Sequence, residues 1–166
     1  MQIKFEKMGP EHQKSVMEIL NYYIETSTAA FPATTLPEPF FAKLMENTDG
    51  YPAYVAINSE TSEAAGFCKL RPYSPFSTFK ATAVISYFIS PGYVGQNIGG
   101  QFLERVSADA KQLGIKYIIA EISSENEPSL KFHAKHGFVN CGALKNIGSK
   151  FGRNFDVVLM QKDLKD

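Results

Sequence analysis

The sequence predicts an α/β fold built on a mixed, mostly antiparallel central sheet of about seven strands, with helices on both faces. Three observations lead to it. Short β-branched and aromatic runs joined by hairpin-like connections fill much of the first half. A central run at residues 81–89 passes through a glycine-rich turn into an amphipathic segment. The second half then continues as strand, helix and strand. The chain has 166 residues, 44% of them hydrophobic and 20% charged, enough to bury one core. It shows no internal repeat or low-complexity linker, so one domain over residues 1–166 is expected.

Ile3 and Phe5 alternate with polar neighbours as a first strand. Pro10 and Glu11 open a helix whose apolar face is Val16, Ile19, Leu20, Tyr23 and Ile24. Residues 25–37 read as an irregular loop. In it Phe31 is either a plug packed under the loop or part of a substrate pocket. A short helix near residues 39–47 carries Phe40, Phe41, Leu44 and Met45. Strands at 53–57 and 65–70 follow, joined through the polar stretch 58–63. Residues 71–79 are aromatic and punctuated by proline. Tyr73, Phe76 and Phe79 therefore either line a pocket or cover a sheet edge.

The run 81–89 reads as a buried strand that Pro91 and Gly92 terminate. After the turn, Ile98, Phe102, Val106, Ala110 and Leu113 recur at helical spacing, Leu103 widens the face, and Gly114 is a stop signal. Residues 116–122 form a fifth strand and 129–136 a helix closed by Gly137. The last two strands lie at 138–144 and 155–160.

Seventeen basic and seventeen acidic residues cancel, and no basic cluster stands out, so neither nucleic acid nor an acidic membrane surface is the expected partner. The N-terminal residues lack a signal-peptide core, and no run approaches a bilayer-crossing length. A soluble, cytoplasmic protein is expected. Cys68 and Cys141 lie far apart in strand-like runs, which reads as buried, reduced thiols. No spacing of histidine, cysteine and carboxylate suggests a metal site.

The turn after the central strand carries the chemistry. A helix start presents unpaired backbone N–H groups and a partial positive charge, and glycines let a phosphate approach closely. Gly95 to Gly100 imitates a Walker loop in spacing, but Gln101-Phe102 stands where Lys and Ser/Thr should be. The dinucleotide fingerprint fails as well, because the glycines do not fall as G-x-G-x-x-G. What remains is either a simple strand-to-helix turn or an acyl-CoA loop.

Val94-Gly95-Gln96-Asn97-Ile98-Gly99, followed by Gly100, resembles the acyl-CoA loop of the GNAT acetyltransferases, which runs Gln/Arg-x-x-Gly-x-Gly/Ala from the fourth strand into a helix. Val94 replaces the polar first residue and Asn97 a glycine. Asn tolerates left-handed backbone, and Val94 removes no backbone donor. The resemblance covers essentially the whole chain and narrows to the phosphinothricin N-acetyltransferase-like branch. It is carried by residues 20–31, by Gly66 with Pro72-Tyr73, by 126–138 with its Asn-x-x-Ser and His-x-x-x-Gly-Phe pattern, and by 150–156.

That resemblance implies the GNAT fold, with acetyl-CoA as co-substrate held by Tyr87, Phe88 and Ile89 at the strand end, by Gly95, Gln96, Asn97, Ile98, Gly99 and Gly100 at the pyrophosphate, and by Asn126. It further implies a homodimer and direct acetyl transfer to the primary amine of a small amino-acid-like compound of the phosphinothricin or methionine sulfone type, without a metal. Phe31, Tyr73 and Phe79 are the candidate pocket residues. Acetylation of a peptide or protein N-terminus and acyl-CoA binding without turnover are the alternatives.

One departure touches mechanism. The branch carries a glutamate in the fourth strand where this chain has Val84, and valine cannot take the proton that an ammonium must lose before it attacks a thioester. Glu121 on the fifth strand is the candidate replacement; otherwise it is a strand-edge carboxylate facing solvent. His133 is either the acid for the leaving thiolate or a structural histidine. His136 is expected in packing, and His12 at a helix start on the surface.

Overall fold

The computed structural model describes residues 1–165. Its strands are β1 (Ile3–Lys7), β2 (Ala53–Asn58), β3 (Ala64–Pro72), β4 (Thr82–Ile89), β5 (Tyr117–Ser123), β6 (Val139–Lys150) and β7 (Arg153–Asp163). Its helices are α1 (Gln13–Thr26), α2 (Phe41–Asn47), α3 (Ile98–Gln112) and α4 (Glu127–Lys135). The strands form one sheet in the order β1-β2-β3-β4-β5-β7-β6. Every neighbouring pair is antiparallel except β4 with β5.

The faces follow from the two-residue strand repeat. Ala83, Ile85, Ile118, Ala120, Ile122 and Met160 point to one face and pack with Ile98, Phe102, Val106 and Ala110 of α3. Val55 and Phe67 point to the other and pack with Val16, Leu20 and Ile24 of α1 and Phe41 of α2. The expected helices on both faces are therefore present, each held by its apolar stripe.

The parallel ladder positions the site. Its pairs are Thr82 with Tyr117, Ala83 with Ile118 and Val84 with Ile119, whereas β4 runs on to Ile89 and β5 to Ser123. Past the last pair the two strands part, and a notch opens between them. The α3 N-terminus follows directly from the β4 side of this notch.

Several expectations are corrected. Leu113 is exposed, because α3 ends at Gln112 and the chain turns away through Gly114 at φ +82°. Cys141 is exposed as well: it lies on β6, the edge strand, beside a break in register, while Cys68 is fully buried on β3. His12 is buried, not on the surface. The Gly9 N–H donates to its Nδ1 at 3.0 Å, so its Nε2 carries the hydrogen and donates to Glu6 Oε2 at 3.0 Å. The final strands are also longer than expected, because β6 and β7 continue to a tight turn at Phe151-Gly152 in which both residues adopt positive φ.

Candidate active site

The notch has a phosphate side and a carboxylate side. On the first, Asn97 adopts the left-handed conformation (φ 58°, ψ 24°) and makes no side-chain cap bond, so the first turn of α3 keeps backbone N–H groups free of a side-chain cap. That turn also contains no acidic residue. Gly95 has φ +87°, with open space where a Cβ would stand. At Gly100, by contrast, a Cβ would collide with Asn97 Oδ1. A left-handed glycine, a tightly packed glycine and an uncapped fifteen-residue helix make a cradle that fits a pyrophosphate.

Around this cradle, Tyr87 of β4 meets Phe132 and His133 of α4 edge to face. The Tyr87 hydroxyl lies 2.6 Å from His133 Nε2, and His133 Nδ1 lies 2.7 Å from the Ser129 carbonyl oxygen. A carbonyl only accepts, so Nδ1 carries the hydrogen, and Tyr87 donates to Nε2. Burial pushes the His133 pKa down, against the opposing pull of that carbonyl. The ring is therefore neutral, 3% exposed, and engaged at both nitrogens. Burial also pushes the Tyr87 hydroxyl well above the ordinary tyrosine range, so it stays protonated.

Asn126 caps α4, its Oδ1 accepting from the Ser129 N–H at 3.3 Å. Ile89, assigned to acetyl-CoA, has its carbonyl taken by the Tyr23 hydroxyl at 2.5 Å. Phe88 lies on the opposite face of β4, against Tyr23 and Phe67.

On the carboxylate side, Arg71, Val84 and Ile119 are register partners and share a face, and Glu121 follows two residues after Ile119. Arg71 Nη2 donates to Glu121 Oε1 at 2.9 Å, so the ion pair spans β4 directly over the buried Val84. Glu121 therefore stands at the mouth of the notch, on the same sheet face as the valine that replaces the expected glutamate. It also walls a cavity of about 460 Å³ lined by Tyr73, Phe79, Tyr117, Ile119 and Leu144.

Tyr73 and Phe79 thus share this cavity and touch each other edge to face. Phe31 does not line it, but stacks on Phe155 at 6.1 Å between ring centroids. Its loop is tied down by contacts that the pattern of residue types did not disclose. Lys150 Nζ donates to the carbonyls of Ser27 (2.7 Å) and Ala30 (2.8 Å). Thr28 bonds Ser123 at 2.7 Å and donates to Glu125, which Arg153 holds with two 2.8 Å bonds. Among the described residues no group of three or more His, Cys, Asp and Glu is arranged to hold a metal ion.

Residues 16–138 match the acetyltransferase (GNAT) family. The chain belongs to that family. The phosphinothricin N-acetyltransferase of Alcaligenes faecalis is 33% identical over 155 residues, which are 90% of this chain and 77% of that protein. The crystal structure of a ribosomal-protein-alanine N-acetyltransferase from Brucella melitensis superposes with a TM-score of 0.90 at 27% identity, over 96% of this chain and 99% of that one. A GNAT phosphinothricin acetyltransferase from Sinorhizobium meliloti, solved in complex with AcCoA, superposes with a TM-score of 0.91 at 24% identity, over 98% of this chain and 89% of that one. The mixed seven-stranded sheet described above is the fold that these acetyltransferase structures share.

Proposed function

We propose that this chain is an acetyl-CoA-dependent N-acetyltransferase that moves acetyl directly to the primary amine of a small amino-acid-like acceptor of the phosphinothricin or methionine sulfone type. The observation that carries this reading is the pairing of Glu121 with Arg71 across the mouth of the notch, opposite a cradle suited to pyrophosphate. Acetyl-CoA supplies the activated thioester. The residues of this chain do the rest.

Gly95 to Gly100 hold the pyrophosphate through backbone donors. Glu121 takes the proton from the incoming ammonium, which frees the nitrogen lone pair. Arg71 uses Nη2 for Glu121 and Nη1 for the Pro72 carbonyl at 3.3 Å, and a guanidinium has five N–H donors. The remaining donors suit a carboxylate on the acceptor, which favours an amino acid over a polyamine. His133 has no N–H to give the leaving thiolate, since Nδ1–H is held by the Ser129 carbonyl and Nε2 accepts from Tyr87; its part is to position the Tyr87 hydroxyl. Direct transfer fits the two thiols: Cys68 is buried and pushed far above the ordinary thiol range by desolvation, and Cys141 lies on the outer edge strand.

The same reading treats residues 1–166 as one domain acting in the cytoplasm as a homodimer. Support for the dimer comes from β6, where Val139, Leu144 and Ile147 are exposed along an edge strand that otherwise invites pairing.

A second reading, acetylation of a protein N-terminus, is favoured by the likeness to the Brucella melitensis enzyme. A competition assay separates the two. Purified protein with labelled acetyl-CoA is offered phosphinothricin, methionine sulfone, ordinary amino acids and peptides beginning with alanine, and products are identified by mass spectrometry. Labelling of the small amino acids alone supports the first reading, and labelling of the peptides alone overturns it.

A further inference from the structure

His136 lies beyond the end of α4, beside the first turn of α3. Its ring packs on Phe132 with centroids 4.2 Å apart, and Phe132 reaches the point where a Cβ would stand on Gly99, at 3.4 Å. His136 Nδ1 is 2.8 Å from the Phe132 carbonyl oxygen, so Nδ1 carries a hydrogen and the ring is held in one orientation. Nε2 then lies 3.2 Å from the point where a Cβ would stand on Gly100, next to Asn97 Oδ1. Among the described residues it has no hydrogen-bond partner.

This free ring nitrogen borders the helix start where the glycine cradle lies. In a neutral ring Nε2 is a lone pair, which repels phosphate oxygens. In an imidazolium it is a charged donor, complementary to them. We propose that His136 binds a phosphate group of acyl-CoA as the imidazolium, so that binding takes up a proton. This inference rests on the acyl-CoA reading above and adds to it a residue and a linked proton.

The groups facing His136 allow the charge. Its α4 neighbour His133 is neutral, and the first turn of α3 has no acidic residue. From β7, Lys162 donates to the His136 carbonyl at 2.5 Å, and its positive charge opposes that of an imidazolium until a phosphate offsets both. The aromatic neighbour Phe132 brings no charge of its own.

Isothermal titration of CoA into wild type, His136→Gln and His136→Asn tests the proposal. Titrations in two buffers of different ionisation enthalpy give the protons taken up on binding. The expected result is greater proton uptake by wild type than by either variant. Wild-type affinity should exceed theirs by roughly tenfold at pH 6, with the gap closing as the pH is raised to 8.5. Acetyl-pantetheine, which carries the thioester but no diphosphate or 3′-phosphate, should bind all three proteins alike. If wild type binds CoA but the variants match its proton uptake and its affinity at every pH, the role of His136 is overturned and the acyl-CoA reading stands. If wild type binds no CoA, both fall.

Discussion

Replacing Glu121 with Gln removes one negative charge and keeps the shape of the side chain. The structure separates its cost in stability from its cost in rate. The Arg71–Glu121 bond is 2.9 Å long, but the side chains are 31% and 38% exposed, so solvent screens the pair. An ion pair this open contributes at most about 1 kcal/mol to folding. General-base catalysis is worth about 10²- to 10⁴-fold, or roughly 3 to 5 kcal/mol of barrier. Glu121→Gln should therefore lower kcat at least about 100-fold at pH 7, with little change in thermal midpoint or CoA affinity. The assay is thiol release at saturating acetyl-CoA between pH 6 and 9.5. Without the base only the neutral amine reacts, so the variant's rate should climb about tenfold per pH unit until the pH reaches the amine's own pKa. A variant with kcat within about twofold of wild type and an unchanged pH profile would refute the assignment.

Three further outcomes follow from the same structure. A Cβ on Gly148 would overlap the Phe155 ring, which itself supports Phe31; Gly148→Ala should cost about 1–3 kcal/mol by overpacking, read as a lowered thermal midpoint. Burial lowers the pKa of His133, so as pH falls through about 6.5 the unfolded chain takes up a proton that the folded one does not. Folding stability should decline from pH 7 towards pH 5, and chemical denaturation of His133→Leu should show a shallower decline. Ile147→Lys puts a charge on the exposed edge strand, and sedimentation should show dimer for wild type and monomer for the variant.

The fold was legible because periodicity and turn residues agree. The α3 stripe, the strand ending at Pro91 and the αL glycines at 114 and 137 all stand where pattern reading puts them. Leu113 was misread because spacing extends a helix without sensing that its last turn has left the sheet. Cys141 and His12 were misread because burial depends on what lies across from a residue. Cys141 sits exposed on the edge strand β6, and His12 folds back onto Glu6 of β1.

At the site, the glycine cradle was readable as a local segment. The Arg71–Glu121 pair was not, because it joins residues fifty positions apart on strands that flank a third. The Lys150 and Thr28 tethers of the Phe31 loop were hidden for the same reason: they join the end of the first helix to the far end of the chain, more than ninety positions away. Val84 signalled the missing strand glutamate. Only the register showed that Glu121 occupies the same face.

The most direct test of the account is acetyl-CoA-dependent thiol release by the purified protein with phosphinothricin, methionine sulfone and methionine sulfoximine as acceptors. Release should require an acceptor amine and yield the N-acetylated compound in equal amount. Acetyl-CoA binding with no release, for these acceptors and for ordinary amino acids, polyamines and short peptides alike, would contradict it.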